Sequence, residues 1–393
     1  MKKDDLVKTP HRLRASVLAL ALGGLGLACD TEEAFPNVDE LDQLRSLHTQ
    51  TRQPPKDPTN RVDGVARAEQ LGDLLFHDAG LSRCGTVSCQ SCHGGEGRTV
   101  DTALAEGCDG KRTLRNPPTV LNAAYNRWFM WDGRADRLWS QAILPLLNPD
   151  EMNSDAQVVA ARLQSVESYR TEYQALFGRE PAAESGDVLL ANVGKVLAAY
   201  QRTLVKVDAP FDEDVRRFLA AVDAGTAEED PAYLGLKTFV RKGQCIVCHK
   251  GPSLSDDLFH NIGVEDTGPG SGGQWASLEG LLGWSFNAEG RYSDAPSGSD
   301  ALRLRALRTQ AKQLELEGAF RTPSLRNVAL TAPYMHTGAQ ATLEEVIDFY
   351  NEGGDAAGTF VGQKTETLVP LELTDAEKRA LVDLLKSMTG RED

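Results

Sequence analysis

The chain has 393 residues, with 57 acidic against 42 basic side chains and a formal charge of −15. Apolar residues make up 41% and charged residues 25%, the proportions of a chain that buries a core. Collagen-like, disordered and polytopic membrane classes are excluded, and the acidic balance argues against nucleic acid as the main partner. This length implies two domains.

In chain order, Lys2, Lys3, Lys8, Arg12 and Arg14 precede an apolar run from Ala15 to Ala28 that is too short to span a bilayer. This flank, with Gly26-Leu27-Ala28 as a small-x-small site, predicts a signal peptide over residues 1–28 and a periplasmic product. Cys29 stands where bacterial lipoproteins carry their acylated cysteine, which would tether the protein to a membrane. Gly26 replaces the usual aliphatic residue there, and a freely soluble product is the alternative. Residues 29–60 are rich in acids, prolines and polar residues and read as a flexible tether.

Helical periodicity begins near Arg61, with Val65, Leu71, Leu74, Leu75 and Phe76 on one face and Asn60 as N-cap. Further helices are predicted at 154–177, 186–206, 231–241, 342–351 and 375–389. Thr342 with Glu345 and Thr374 with Glu377 form capping boxes, and Gly353 and Gly390 are stops. No convincing alternating β-branched run occurs, so the fold class is all-α.

Two segments read C-x-x-C-H: Cys89-Gln-Ser-Cys92-His93 and Cys245-Ile-Val-Cys248-His249. This is the attachment signature of haem c, with two thioethers and an adjacent proximal imidazole. The alternatives are zinc and a redox dithiol. Zinc would need further ligands, and the nearby histidines are only His77 and His260. Two covalently bound haem c groups are therefore predicted, which agrees with export. Cys84 and Cys108 then remain, flanking the first motif; they are either a disulfide or two free thiols.

The chain reads as an internal duplication. Leu71-Gly72-x-x-x-Phe76 precedes the first haem motif, and Leu234-Gly235-x-x-x-Phe239 the second. Pro118-Thr-Val-Leu-Asn122 matches Pro323-Ser-Leu-Arg-Asn327, and the same register pairs Met130 with Met335, Gly133 with Gly338 and Leu138 with Leu343. The second half is longer between motif and match, which marks 263–318 as an insertion. Two cytochrome c-like haem domains follow, 61–225 and 226–393. The register also pairs Pro145 with Tyr350. Proline cannot ligate iron and a tyrosine phenolate can; Tyr350 is otherwise a core aromatic of its helix.

From about residue 54 to 390 the chain resembles the bacterial di-haem cytochrome c peroxidase and MauG family. The matching stretches include Arg115-Asn116-x-Pro-Thr, Trp131-Asp-Gly-Arg134, Phe320-Arg-Thr-Pro-Ser-Leu-Arg-Asn327, Ala332-Pro-Tyr-Met-His-Thr-Gly338 and Thr342–Asn351. The resemblance implies an oxidoreductase that reacts with hydrogen peroxide at the N-terminal haem and relays oxidising equivalents through the C-terminal one. It places Gln141 and Glu151 over the first haem, where a carboxylate can shuttle a proton and an amide can hydrogen-bond peroxide. It puts Trp131 between the haems and Tyr350 on the second iron, with Met335 as fallback ligand. Where ordinary peroxidases carry a distal His, this chain has Glu106, so the first iron is expected to be five-coordinate. It further implies a calcium ion held by Asn116 and carbonyls near Ser293–Pro296, and second-shell roles for His260 and His336.

The partner expected from the same resemblance is a small redox protein, either a c-type cytochrome or a cupredoxin. The alternatives are MauG-like oxidation of a protein or organic substrate, and a non-catalytic di-haem electron carrier.

Overall fold

The computed structural model describes residues 34–47, 51–96, 99–310, 316–355 and 359–391. The predicted signal peptide and Cys29 lie outside these residues. Thirteen α-helices carry the described structure, and its named strands are one short antiparallel pair, β1 (Phe259–His260) and β2 (Phe320–Arg321). The all-α expectation agrees with this.

The N-terminal core forms where α2 (Ala66–Phe76) crosses α7 (Gly186–Gln201), with α4 (Leu138–Leu147) on the other side of α7. Gly72 makes the crossing possible. A Cβ there would stand 2.3 Å from the Val196 carbonyl oxygen and 2.7 Å from Tyr200 Cβ. Ala68, Leu71, Leu75 and Phe76 line the buried face of α2, whereas Leu74 is exposed, contrary to its expected place. Asn60 does not cap α2; its side chain donates to the Lys195 carbonyl (2.9 Å) and accepts from Val62 N–H. The helix expected over 154–177 is two helices, α5 (Ala156–Ser165) and α6 (Glu167–Phe177), because Val166 between them is extended.

The C-terminal core packs α9 (Tyr233–Val240) on α13 (Asp375–Ser387), with α12 (Leu343–Asn351) beside α13. Gly235 is the counterpart of Gly72, but its clearance is larger: a Cβ would lie 3.0 Å from the Ala380 carbonyl oxygen. Thr374 and Glu377 complete the predicted capping box. Thr342 accepts from Glu345 N–H, while the Glu345 carboxylate bonds Ala341 N–H instead of closing the box.

Two regions depart from expectation. The stretch read as a flexible tether contains α1 (Val38–Leu47), and Leu44 and Leu47 of this helix join Phe35 ahead of it in the C-terminal core. Glu40 pairs with Arg241 at 2.6 and 2.9 Å and holds α1 in place. Its acids and prolines conceal an amphipathic turn pattern too short to stand out. Residues 210–224, assigned to the first domain, form α8 (Pro210–Ala224), whose Phe211, Val215 and Phe218 belong to the C-terminal core. The buried Asp212–Arg326 pair (2.9 and 3.1 Å) fixes that placement.

The segment 263–318 carries α10 (Gly273–Gly283) and α11 (Ser299–Gln310). Leu278, Leu281, Leu304, Leu307 and Leu316 enclose Trp128 in a third, small core. Polar ties bind this segment to the N-terminal half: Arg137 to Asp300 (2.7 Å), Lys195 to Asp294 (2.6 Å) and Ala288 N–H to Asp136 (3.0 Å).

Backbone features recur 205 residues apart, at the register read from the sequence. Asn122 and Asn327 adopt φ of 58° and 64°, Met130 and Met335 of 63° and 67°, and Gly133 and Gly338 both of 69°. Isolated bridges join Phe129 to Ala135 and Tyr334 to Gln340. Asn122 and Asn327 both donate to one acceptor, the Lys206 carbonyl, at 2.8 and 2.9 Å.

Two stability predictions follow from these contacts. Overpacking costs about 1–3 kcal/mol where backbone must move. Gly72→Ala should therefore lower the thermal midpoint of unfolding more than Gly235→Ala, whose neighbour needs to give only slightly. Asp136 is fully buried, and burial pushes its carboxyl up to about 6 despite the neighbouring Arg137. A raised folded-state pKa leaves its stabilising contribution intact below about pH 4, the unfolded carboxylate value, and removes it as pH rises through 6. Asp136→Asn should flatten the fall in stability between pH 4 and 7 by on the order of 3 kcal/mol, read from denaturant unfolding at each pH.

Candidate active site: two cavities and a shared wall

The first C-x-x-C-H forms α3 (Cys89–His93), opened by Ser88, whose N–H bonds Ser91 Oγ. His93 and Cys92 face a cavity of about 380 Å³, and a further recess of about 40 Å³ runs from there to Cys89 and Phe76. Helix α4 supplies Gln141 and Pro145 to the cavity, and the turn after it supplies Glu151. The structure thus brings together the expected trio of Gln141, Pro145 and Glu151 opposite the first motif.

Glu151 is held by Asn148, whose Nδ2 donates to Oε1 at 2.6 Å. Burial pushes its carboxyl above the ordinary range; the Asn148 bond and Arg134 oppose this. A carboxyl raised toward neutrality and held on a short side-chain bond can both give and take a proton. Gln141 Nε2 lies 4.0 Å from Met130 Sδ, a weak contact that leaves its amide able to reorient toward a ligand. Glu106 is exposed, bridges Arg112 through its backbone, and does not line the cavity. Among the described residues His93 is the only histidine that does.

The second motif opens a cavity of about 230 Å³ lined by Cys245, Cys248, His249, Phe239, Leu381 and Leu385. His249 Nδ1 donates to the Leu254 carbonyl at 3.0 Å, which fixes the orientation of the ring. Helix α12 brings Tyr350 into this cavity, and Met335 lines it as well. Burial pushes the Tyr350 phenol above its ordinary range. Pro145 and Tyr350, paired by the register, thus line one cavity each.

His260 bonds Asp256 at 2.9 Å, and Asp256, then the Cys248 thiol, raises the imidazole pKa. Ligand atoms of Cys248, Asp256 and His260 lie within 4.8 Å of one another, so a metal ion would find three donors there. A thioether at Cys248 removes one of them.

Asn116–Thr119, Asn126, Trp131 and Arg321 line both cavities and form the wall between them. Trp131 Nε1 donates to the Asn116 carbonyl at 2.7 Å, and its ring meets His336 edge-on at 6.4 Å. His336 stacks on Phe320 at 3.7 Å and bonds Asp266 at 3.2 Å, while Arg115 bonds Asp266 at 2.6 Å. Burial and then the Arg115 charge push His336 down to about 4, so it is neutral at physiological pH.

Buried Arg321 Nε and Arg115 Nη2 have no hydrogen-bond partner. Unpaired buried guanidinium N–H groups are costly. Here they stand beside cavities that also present two thiols and an imidazole each, and carboxylate groups of a haem would satisfy them. The residues present fit two haems. These arginines sit inside the quoted Arg-Asn-x-Pro-Thr and Phe-Arg-Thr-Pro stretches, but their role was not read from the sequence. The grip of Asn148 on Glu151 was also missed, though Asn-Pro-Asp three residues ahead of a Glu is a turn signal.

Asn116 Nδ2 donates to the Pro333 and Met335 carbonyls at 2.6 and 3.2 Å, and its buried Oδ1 has no partner. Of the carbonyls near Ser293–Pro296 expected to share a calcium ion with it, that of Pro296 accepts from Arg305 at 3.3 Å. His77 is exposed and bonds Asp73. Cys84 and Cys108 form a disulfide.

A helical fold with two cavities, each fitted for a haem and separated by a wall with one indole, defines a di-haem oxidoreductase. A profile of the di-haem cytochrome c peroxidases matches residues 66–218. The chain is 33% identical over 379 residues to the methylamine utilization protein MauG of Methylorubrum extorquens, covering 96% of this chain and 94% of that one. It is 33% identical over 385 residues to the cytochrome-c peroxidase IdrP2 of Denitromonas iodatirespirans, covering 97% and 94%. A crystal structure of a MauG-like protein associated with microbial copper homeostasis superposes with a TM-score of 0.62 at 30% identity, covering 86% and 93%. The chain belongs to the di-haem cytochrome c peroxidase and MauG family, and it is a peroxidase-class oxidoreductase.

Proposed function

We propose that the N-terminal cavity is the site where hydrogen peroxide reacts, and that the C-terminal cavity relays the oxidising equivalents. The observation that carries this is the contrast between Pro145, which lines the first cavity, and Tyr350, which lines the second. At this paired position the first cavity presents a proline, which cannot ligate iron, and the second a phenol, which can. The recurrence of backbone conformations at a spacing of 205 residues supports an internal duplication beneath this contrast.

Bound at each C-x-x-C-H through thioethers, haem supplies an iron that can accept peroxide and store oxidising equivalents. The chain's own residues do the remaining work. Gln141 hydrogen-bonds peroxide without competing for its proton. Glu151 takes the proton from one peroxide oxygen and delivers it to the other, which departs as water. Arg321 in the shared wall and Arg115 at the first cavity would hold haem carboxylates. Trp131, ordered by its bond to Asn116, shortens the electron path between the cavities.

Tyr350 favours a second reading for the partner. An anionic oxygen ligand stabilises oxidised iron and makes the centre a poor acceptor from an ordinary donor cytochrome. A protein or organic substrate oxidised in its place, in the manner of MauG, fits that chemistry; a c-type cytochrome or cupredoxin donor is the alternative. Export to the periplasm, with or without acylation of Cys29, rests on residues 1–29 of the sequence. Among the described residues no helix is long and apolar enough to cross a membrane.

The test is stoichiometric peroxide added to the diferric protein, followed spectroscopically. A rapid spectral change is expected in the wild type, slowed at least 100-fold in Glu151→Gln with the resting spectrum retained. Equal rates would refute the role of Glu151. Persistence of the oxidised state in the presence of reduced cytochrome c supports the substrate-oxidising reading, and rapid turnover supports the cytochrome peroxidase reading. Tyr350→Phe should change the spectrum of one haem and leave the other untouched; an unaltered spectrum reduces Tyr350 to packing.

A further inference from the structure

The turn that carries Glu151 is gripped from two sides. On one side, Arg83 N–H donates to the Met152 carbonyl at 3.0 Å, and Arg83 Nε donates to the Asn153 carbonyl at 2.8 Å. On the other, Cys108 N–H donates to the Glu151 carbonyl itself at 2.7 Å. The two gripping segments are fastened to each other, because Arg83 precedes Cys84 and Cys84 is bonded to Cys108. Gly107 allows the close approach: a Cβ there would stand 2.2 Å from the Asp150 carbonyl oxygen and 2.7 Å from that of Glu151. From within, Met152 N–H donates to the Pro145 carbonyl at 3.1 Å, tying the turn to the helix that presents Gln141.

We propose that the Cys84–Cys108 disulfide, with Gly107, is a positioning clamp that sets the Glu151 carboxyl in the first cavity; this rests on the reading of Glu151 as the proton shuttle. A proton shuttle works only within about 2.6–3.2 Å of its partner atoms. Displacing a catalytic group by about 1 Å can cost roughly 100-fold. The disulfide closes a loop across a separation of 24 residues, which restricts the unfolded chain and so stabilises the fold as a whole. That general effect reaches the whole N-terminal core. The clamp adds a specific one, because the backbone N–H groups of Cys108 and Arg83 bond residues 151 and 152, and the Arg83 side chain bonds residue 153.

The test compares the holoprotein with Cys84→Ser/Cys108→Ser and with Gly107→Ala, the latter keeping the cystine while forcing the turn outward. The expected result is a rate of peroxide-induced spectral change, at saturating peroxide, lowered 10- to 100-fold. The peroxide concentration giving half that rate should stay within twofold, since Gln141 is undisturbed. Hydrogen–deuterium exchange should accelerate in the peptide covering 148–154 more than elsewhere in the N-terminal core. In a Glu151→Gln background the cysteine substitutions should slow the rate by less than twofold, because the group they position is already gone.

A wild-type rate in both clamp variants overturns the proposal. So does a loss that persists in full in the Glu151→Gln background, which would make the disulfide a general stabiliser. A wild-type rate in Glu151→Gln alone overturns instead the reading on which the clamp depends. Should the double serine variant fail to accumulate with haem, Gly107→Ala decides.

Discussion

The strip Asn116–Thr119, with Trp131 and Arg321, faces both cavities and has to satisfy both at once. It is pinned from the C-terminal side by the Asn116 amide on the Pro333 and Met335 carbonyls, and Arg321 N–H donates to the Trp131 carbonyl at 2.8 Å. These bonds cross between the halves of the chain, so neither cavity can change shape without moving the other. Arg321 Nε in this strip, and Arg115 Nη2 next to it in the chain, are buried without a hydrogen-bond partner. Carboxylates of a haem in either cavity would satisfy them.

Much of this was legible in the sequence because it rests on local chemistry. C-x-x-C-H needs its residues adjacent, and the Leu-Gly-x-x-x-Phe pattern needs a glycine where two helices cross. The register of 205 was readable because left-handed turns at Asn122 and Asn327 and at Gly133 and Gly338 restrict residue type. Pro145 and Tyr350 emerged from that register, and the structure places both over their cavities.

The remainder depended on contacts between distant segments. Helix α1 is ordered by Arg241, about two hundred residues away, and α8 is drawn to the C-terminal core by Arg326. No local pattern announces either partner. The segment 263–318 reads in the sequence only as an insertion, yet its leucines close over Trp128 and its acids meet Arg137 and Lys195. The break at Val166 likewise reflects backbone geometry between α5 and α6, where periodicity alone reads through.

The docking of α1 has a consequence for reach. With Phe35 already seated in the C-terminal core, Cys29 is only six residue steps away along the chain, with five residues between. Fully extended, these steps span about 20 Å at roughly 3.4 Å per residue. A lipid on Cys29 would hold the body against the bilayer surface on a short leash, where a free stretch to residue 60 would have let it roam. Any macromolecule exchanging electrons with such an anchored enzyme would have to approach along the membrane plane or from the face turned away from it.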